Sequence, residues 1–126
     1  MTALEKIAPA AALAAGDLLS RLKGARAIVV ATEDGFEVAC ASLESIDAGR
    51  LSAITSSMAA IGEVVSLETG IGTVRCLMVE ADDGYLVMRA TRRDGIGLVV
   101  AALVGREVLL GLVAHAVGEM ARGLAA

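Results

Sequence analysis

Aromatic side chains are almost missing from this chain. Phe36 and Tyr85 are the only two in 126 residues, and there is no tryptophan. The core must therefore be built from Leu, Ile, Val and Met, and a small-molecule pocket with convergent polar and aromatic groups is disfavoured. Histidine occurs once, as His115. Cysteine occurs twice, as Cys40 and Cys76, far apart and without C-x-x-C spacing. A metal site needs several converging N, S or carboxylate ligands, so none is expected, and no cofactor either. The thiols read as reduced, hydrophobe-like residues and not as a disulfide. Cations are outnumbered, with 11 Lys and Arg against 15 Asp and Glu and a formal charge of −4. Phosphate-backbone binding needs a clustered basic excess, so nucleic acid is not an expected partner.

Membrane signals are weak as well. The run Ile7–Ala15 is rich in alanine instead of leucine and follows Glu5 where a signal peptide would carry positive charge. The stretch from Ile96 to Gly118 is broken by Arg106-Glu107 into runs too short to span a bilayer. A cytoplasmic protein without membrane insertion is expected.

What the chain does have is aliphatic bulk. Hydrophobic residues make up 56%, against about 45–50% in ordinary soluble domains. Much of the excess is alanine. The length suits a single domain over residues 1–126, with strong pressure to bury more surface in an oligomer. Thr2-Ala-Leu-Glu5 has the spacing of a capping box, and residues 1–9 form either an extension or a kinked first turn, since Pro9 lies inside the helix or restarts it. Ala10 to Lys23 reads as helix, with Leu18, Leu19 and Leu22 on its apolar face and Gly24 as the stop. Ala27–Thr32 and Phe36–Ser42 read as strands joined by the turn Glu33-Asp-Gly35. Asp47 is a plausible N-cap for a long helix from Ala48 to Glu68, stopped by Gly70. Three more strands follow, Thr73–Glu80, Tyr85–Ala90 and Ile96–Val104. The last is apolar on both faces, which implies a central place in the sheet. A final helix from about Arg106 to Leu124 is expected to bury Leu109, Leu112, Val113, Ala116 and Met120.

The order is α-β-β-α-β-β-β-α. It predicts an α/β (α+β) domain with one five-stranded antiparallel sheet flanked by helices on both faces. With this order come Leu18-Leu-Ser-Arg-Leu22 before the first strand, Asp34-Gly35 in the first hairpin, Asp47 and Arg50-Leu-Ser-Ala53 opening the central helix, and Leu110-Gly-Leu112 in the last helix. In these features the chain, from about residue 10 onward, resembles the roadblock (dynein light chain roadblock) family. The resemblance implies a profilin-like fold and a protein that works by association. Its relatives are platforms: dynein subunits, scaffold components and bacterial partners of Ras-like small GTPases. The short, acidic, alanine-rich chain looks most like the bacterial kind.

Candidates for chemistry are few. His115, Glu119 and Arg122 share one helical stripe and read as a solvated face. Asp82-Asp83 reads as a turn before Gly84, and Gly70-Ile-Gly72 and Gly95-Ile-Gly97 do not continue into a phosphate loop. Arg92 and Arg93 read as a soluble hairpin and not as an arginine finger. No enzyme is expected.

The central helix is more informative. Leu51, Ile54, Met58, Ile61 and Val65 recur at spacings of three and four and are expected to face the core. A second stripe, Ala53, Ser57, Ala60 and Val64, is small enough for two helices to approach closely. A third, Ser52, Ser56, Ala59 and Glu63, is polar and is expected to meet a partner. The strand Thr73–Glu80 would leave an unpaired edge. The resemblance implies that this strand pairs with its symmetry mate, using Val74, Cys76 and Met78, while the small-residue stripe makes the helix contact of a homodimer. A Ras-like small GTPase is the expected partner. A scaffold without a GTPase, or a small-ligand sensor, is the alternative.

Overall fold

A computed structural model describes residues 2–125. Its elements are α1 (Ala3–Arg21), β1 (Ala25–Thr32), β2 (Glu37–Ser42), α2 (Ala48–Thr69), β3 (Leu77–Ala81), β4 (Gly84–Arg93), β5 (Ile96–Gly105) and α3 (Leu110–Leu124). The order matches the sequence reading. The strands form one antiparallel sheet in the order β2-β1-β5-β4-β3.

Local chemistry accounts for the boundaries. The Thr2 hydroxyl accepts the Glu5 N–H at the start of α1. The helix then runs unbroken through Pro9, without a restart. It ends at Arg21, three residues before the expected stop, and Gly24 instead takes the positive φ that turns the chain into β1. The Asp47 carboxylate accepts the Arg50 N–H at the start of α2, and Gly70 closes that helix in the left-handed region.

Two rows of paired residues cross all five strands and fix the two faces. Cys40, Val29, Ala101, Met88 and Leu77 stand side by side on one face, beneath α2. Ala41, Ile28, Ala102, Val87 and Met78 stand on the other, toward α1 and α3. That second face carries most of the core. Ile7, Ala11, Ala15 and Leu18 of α1 and Val113, Val117, Met120 and Leu124 of α3 pack over Ile28, Val30, Leu98, Val100 and Val104. Central β5 is buried along nearly its whole length, as its two-sided apolar pattern requires.

Gly84 opens β4 where no side chain fits, because a Cβ there would lie 2.3 Å from the Val104 carbonyl oxygen. The obstacle is backbone and cannot rotate away. Gly84→Ala is expected to lose about 1–3 kcal/mol of stability, read as a lower urea midpoint at unchanged m-value.

Three expectations are corrected. β3 begins at Leu77 and not at Thr73, so Val74 and Cys76 lie in the irregular segment before it. Gly70 and Gly72 both take positive φ there, and the Ser66 hydroxyl holds the Gly72 carbonyl, which keeps the chain off the ladder. α3 begins at Leu110 and not near Arg106. Val113 and Met120 are buried as expected and Ala116 is half-buried, but Leu109 and Leu112 are exposed while Val117 and Leu124 take core places. The third correction concerns α2.

Candidate functional site

α2 is amphipathic the wrong way round for a helix covering a sheet. Facing the sheet are Ser52, Thr55, Ser56 and Gly62, all buried, with Ala59 half-buried beside them. Facing solvent are the bulky residues: Ile54 is 47% exposed, Ile61 63%, Val64 56% and Val65 47%. The expected core stripe of Leu51, Ile54, Met58, Ile61 and Val65 is therefore mostly outside. Only Leu51 and Met58 reach the sheet, from the flank. The expected partner stripe is divided the same way. Ser52 and Ser56 lie underneath and cannot meet a partner, and Ala59 is half-covered, so only Glu63 is freely exposed. The small-residue stripe, Ala53, Ser57, Ala60 and Val64, does lie on the outside.

Volume explains the inversion. A helix can lie close to a sheet only if small residues sit between them. A Cβ at Gly62 would come 2.6 Å from Leu77 Cδ1. Close approach takes polar atoms out of water, and Ser56 solves this by donating its hydroxyl to the Thr32 carbonyl at 2.6 Å. The hydroxyls of Ser52 and Thr55 are buried without a hydrogen-bond partner among the described residues. An unmatched buried hydroxyl is destabilising. Thr55→Val, which keeps the shape, is expected to raise stability by about 1 kcal/mol, measured as a higher urea midpoint.

The exposed apolar face continues into the sheet edge. β3 pairs with β4 on one side, and its other side has no strand among the described residues. On the α2 side of this edge Val79 is 37% exposed, and on the opposite face Met78 is 46% exposed. Val74 and Cys76, expected to alternate along this edge with Met78, are half-buried, and Cys76 packs against the α1–α3 core. Beside α2 an open groove of about 720 Å³ runs over β4 and β5 and reaches Thr73 and Val74, rimmed by Glu33, Glu63 and Arg92.

The groups weighed for chemistry are engaged elsewhere. His115 Nε2 lies 3.2 Å from Glu119 on the exposed side of α3. Arg92 pairs with Glu33 at 3.5 Å and donates to the Gly95 carbonyl, while Arg93 donates to the Leu124 carbonyl. Both cysteines are free thiols. Burial raises both above the usual thiol range; Glu37 adds to the rise at Cys40, and Arg89 partly offsets it at Cys76. Both thiols stay protonated and sluggish near neutral pH. Among the described residues no cluster of His, Cys, Asp and Glu could hold a metal, and no helix is long and apolar enough to cross a membrane.

The family model of the Roadblock/LC7 domain matches residues 12–102. Among solved structures, the Roadblock/LC7 domain from Streptomyces avermitilis is 23% identical, with a TM-score of 0.78 over 90% of this chain and 92% of its own. Myxococcus xanthus MglB is 16% identical, with a TM-score of 0.78 over 91% of each chain. MglC from the same organism is 18% identical, with a TM-score of 0.57 over 89% of this chain and 93% of its own. No curated protein matches by sequence. At these identities the solved structures establish the fold.

Proposed function

Because this chain belongs to the Roadblock/LC7 domain family, we propose that it is a non-catalytic, homodimeric platform that binds a Ras-like small GTPase and modulates its GTP hydrolysis. The observation that carries this reading is α2, which turns Ile54, Ile61, Val64 and Val65 to solvent beside an open sheet edge. A monomer gains nothing by such an arrangement. A second copy seated edge to edge pairs the β3 backbone and covers both apolar helix faces at once, in the self-complementary manner of a two-fold interface. In this reading the dimer contact comprises Ala53, Ser57, Ala60 and Val64 with Ile61, and Met78 on the strand. Val74 and Cys76 flank it. Glu63 and the groove beside it are left for the GTPase.

The test is a pull-down on immobilised protein from native lysate, with GDP and with a non-hydrolysable GTP analogue. Recovery of a Ras-like GTPase, stronger with the GTP analogue, supports the reading. Recovery of none under either condition refutes the GTPase partner. The groove over β4 and β5 favours one second reading, a sensor of a small ligand. A rise in melting temperature with a metabolite pool, and no GTPase recovered, would select it.

A further inference from the structure

β4 turns Arg89 toward α3, on the face of the sheet away from α2. Arg89 is half-buried, and its Nε donates to the Arg75 carbonyl at 2.6 Å. Its guanidinium fills the place of a side chain at Gly118, where a Cβ would sit 2.1 Å from Nη1. Glycine inside a helix is about 1 kcal/mol worse than alanine, and here it makes room for a cation. A guanidinium set into a wall ordinarily meets a carboxylate. Among the described residues neither Arg89 nor Arg75 forms an ion pair.

Arg89, Arg75 and Arg122 line one cleft of about 220 Å³, with Thr91, Gly118 and Ala121 among its other walls and no acidic residue. Glu119 lies 3.9 Å from Arg122 and is shared with His115, and Glu63 lines the adjoining cavity with Arg75 and Arg89 without an ion pair to either. In a chain with 15 acids and 11 bases, three arginines around one acid-free cleft do not follow from a generally basic surface.

We infer that this cleft binds a phosphate group, carried by inorganic phosphate or by a small phosphomonoester. Planar guanidinium forks match phosphate oxygens two at a time, and a dianion answers three positive charges better than a single carboxylate does. Thr91, which lines the cleft, carries a hydroxyl able to donate. The volume is below the range of about 300–1,000 Å³ typical of drug-sized ligands, so the cleft accepts a phosphoryl group with a few attached atoms and not a nucleotide. Its rim is open to water, so binding is weak and weakens further with salt. The cleft is built from α3, β4 and the segment before β3, and it adjoins the proposed dimer contact at Val74, but the inference does not depend on the GTPase partner.

The test is an amide NMR titration of the full chain with inorganic phosphate at constant ionic strength, with acetate as the control anion. Saturable shifts are expected at residues 74–76, 89–91 and 118–122. Arg75→Gln and Arg122→Gln should each weaken binding at least about fivefold, the loss of one charged hydrogen bond, whereas Arg50→Gln should change nothing. Arg75 holds Arg89 through its backbone carbonyl, so Arg75→Gln leaves that contact and the fold in place. O-phosphoserine run in parallel separates the sources: tighter binding than inorganic phosphate assigns the cleft to a monoester, equal or weaker binding to the free ion. Shifts that never saturate, that acetate reproduces, or that persist at native affinity in both arginine variants overturn the inference.

Discussion

Substituting both Ile61 and Val64 with arginine is expected to convert a dimer into a monomer while leaving the fold intact. The two side chains are 63% and 56% exposed in the single chain. Their replacement therefore opens no cavity and strains no neighbour, and the monomer's circular dichroism and core chemical shifts should be unchanged. In the proposed dimer, each change would bring a charge into a desolvated helix contact and set it against its own symmetry mate. Central interface positions cost about 2 kcal/mol or more each when disrupted. The pair should therefore raise the dissociation constant by about a thousandfold. Sedimentation equilibrium over a range of concentrations measures this directly. A dimer that survives the double change would place the contact elsewhere, and GTPase capture by the same variant would show whether binding requires two copies.

Ile28→Ala is expected to have the largest effect on folding. Ile28 is fully buried in the row that crosses the sheet beneath α1 and α3, flanked by Ala41 and Ala102. With alanines on both sides, no larger neighbour can swing in to fill the space. The loss of transfer energy and the residual cavity together amount to about 2–5 kcal/mol. That is a large part of the about 5–15 kcal/mol that holds a domain together. Urea unfolding should show a midpoint far lower at the same slope. An effect under about 1 kcal/mol would mean the α1–α3 layer collapses onto the sheet more readily than its alanine content suggests.

The contrast between these two isoleucines marks what the sequence can and cannot tell. Element order, the Asp47 cap, the Gly70 stop and the central place of β5 were all legible, because each depends on neighbouring residues or on a strand apolar on both sides. The orientation of α2 was not. Periodicity identifies Leu51, Ile54, Met58, Ile61 and Val65 as one stripe, but it cannot tell whether a sheet of the same chain or a second chain covers it. The usual rule that the bulkier stripe faces the core failed because the sheet beneath α2 accepts only small residues. One sign was available: hydroxyls and glycine at 52, 55, 56 and 62 share a single helical face. α3 was misphased for another reason. Leu109 precedes the helix, and the buried stripe centres on Val113, Val117, Met120 and Leu124, which leaves Leu112 on the outer side. The half-exposed strand at 73–76 was lost to backbone conformation at Gly70 and Gly72, which side-chain alternation does not report.

The thin seam between α2 and the sheet also bears on how the molecule breathes. Hydroxyls and a glycine give little apolar area to hold a helix in place, whereas β1, β5 and their flanking helices share the main core. Local opening free energies follow buried apolar area. In a lone chain, α2 should thus be the first element to detach, and its amide hydrogens should exchange long before those of β5. In the proposed dimer a second copy would clamp the helix from outside, and by mass action its grip would strengthen as copies accumulate. The residence of α2 on its own sheet is then set by how many other molecules are present, and a dilute cell and a crowded one would hold the same polypeptide in different degrees of order.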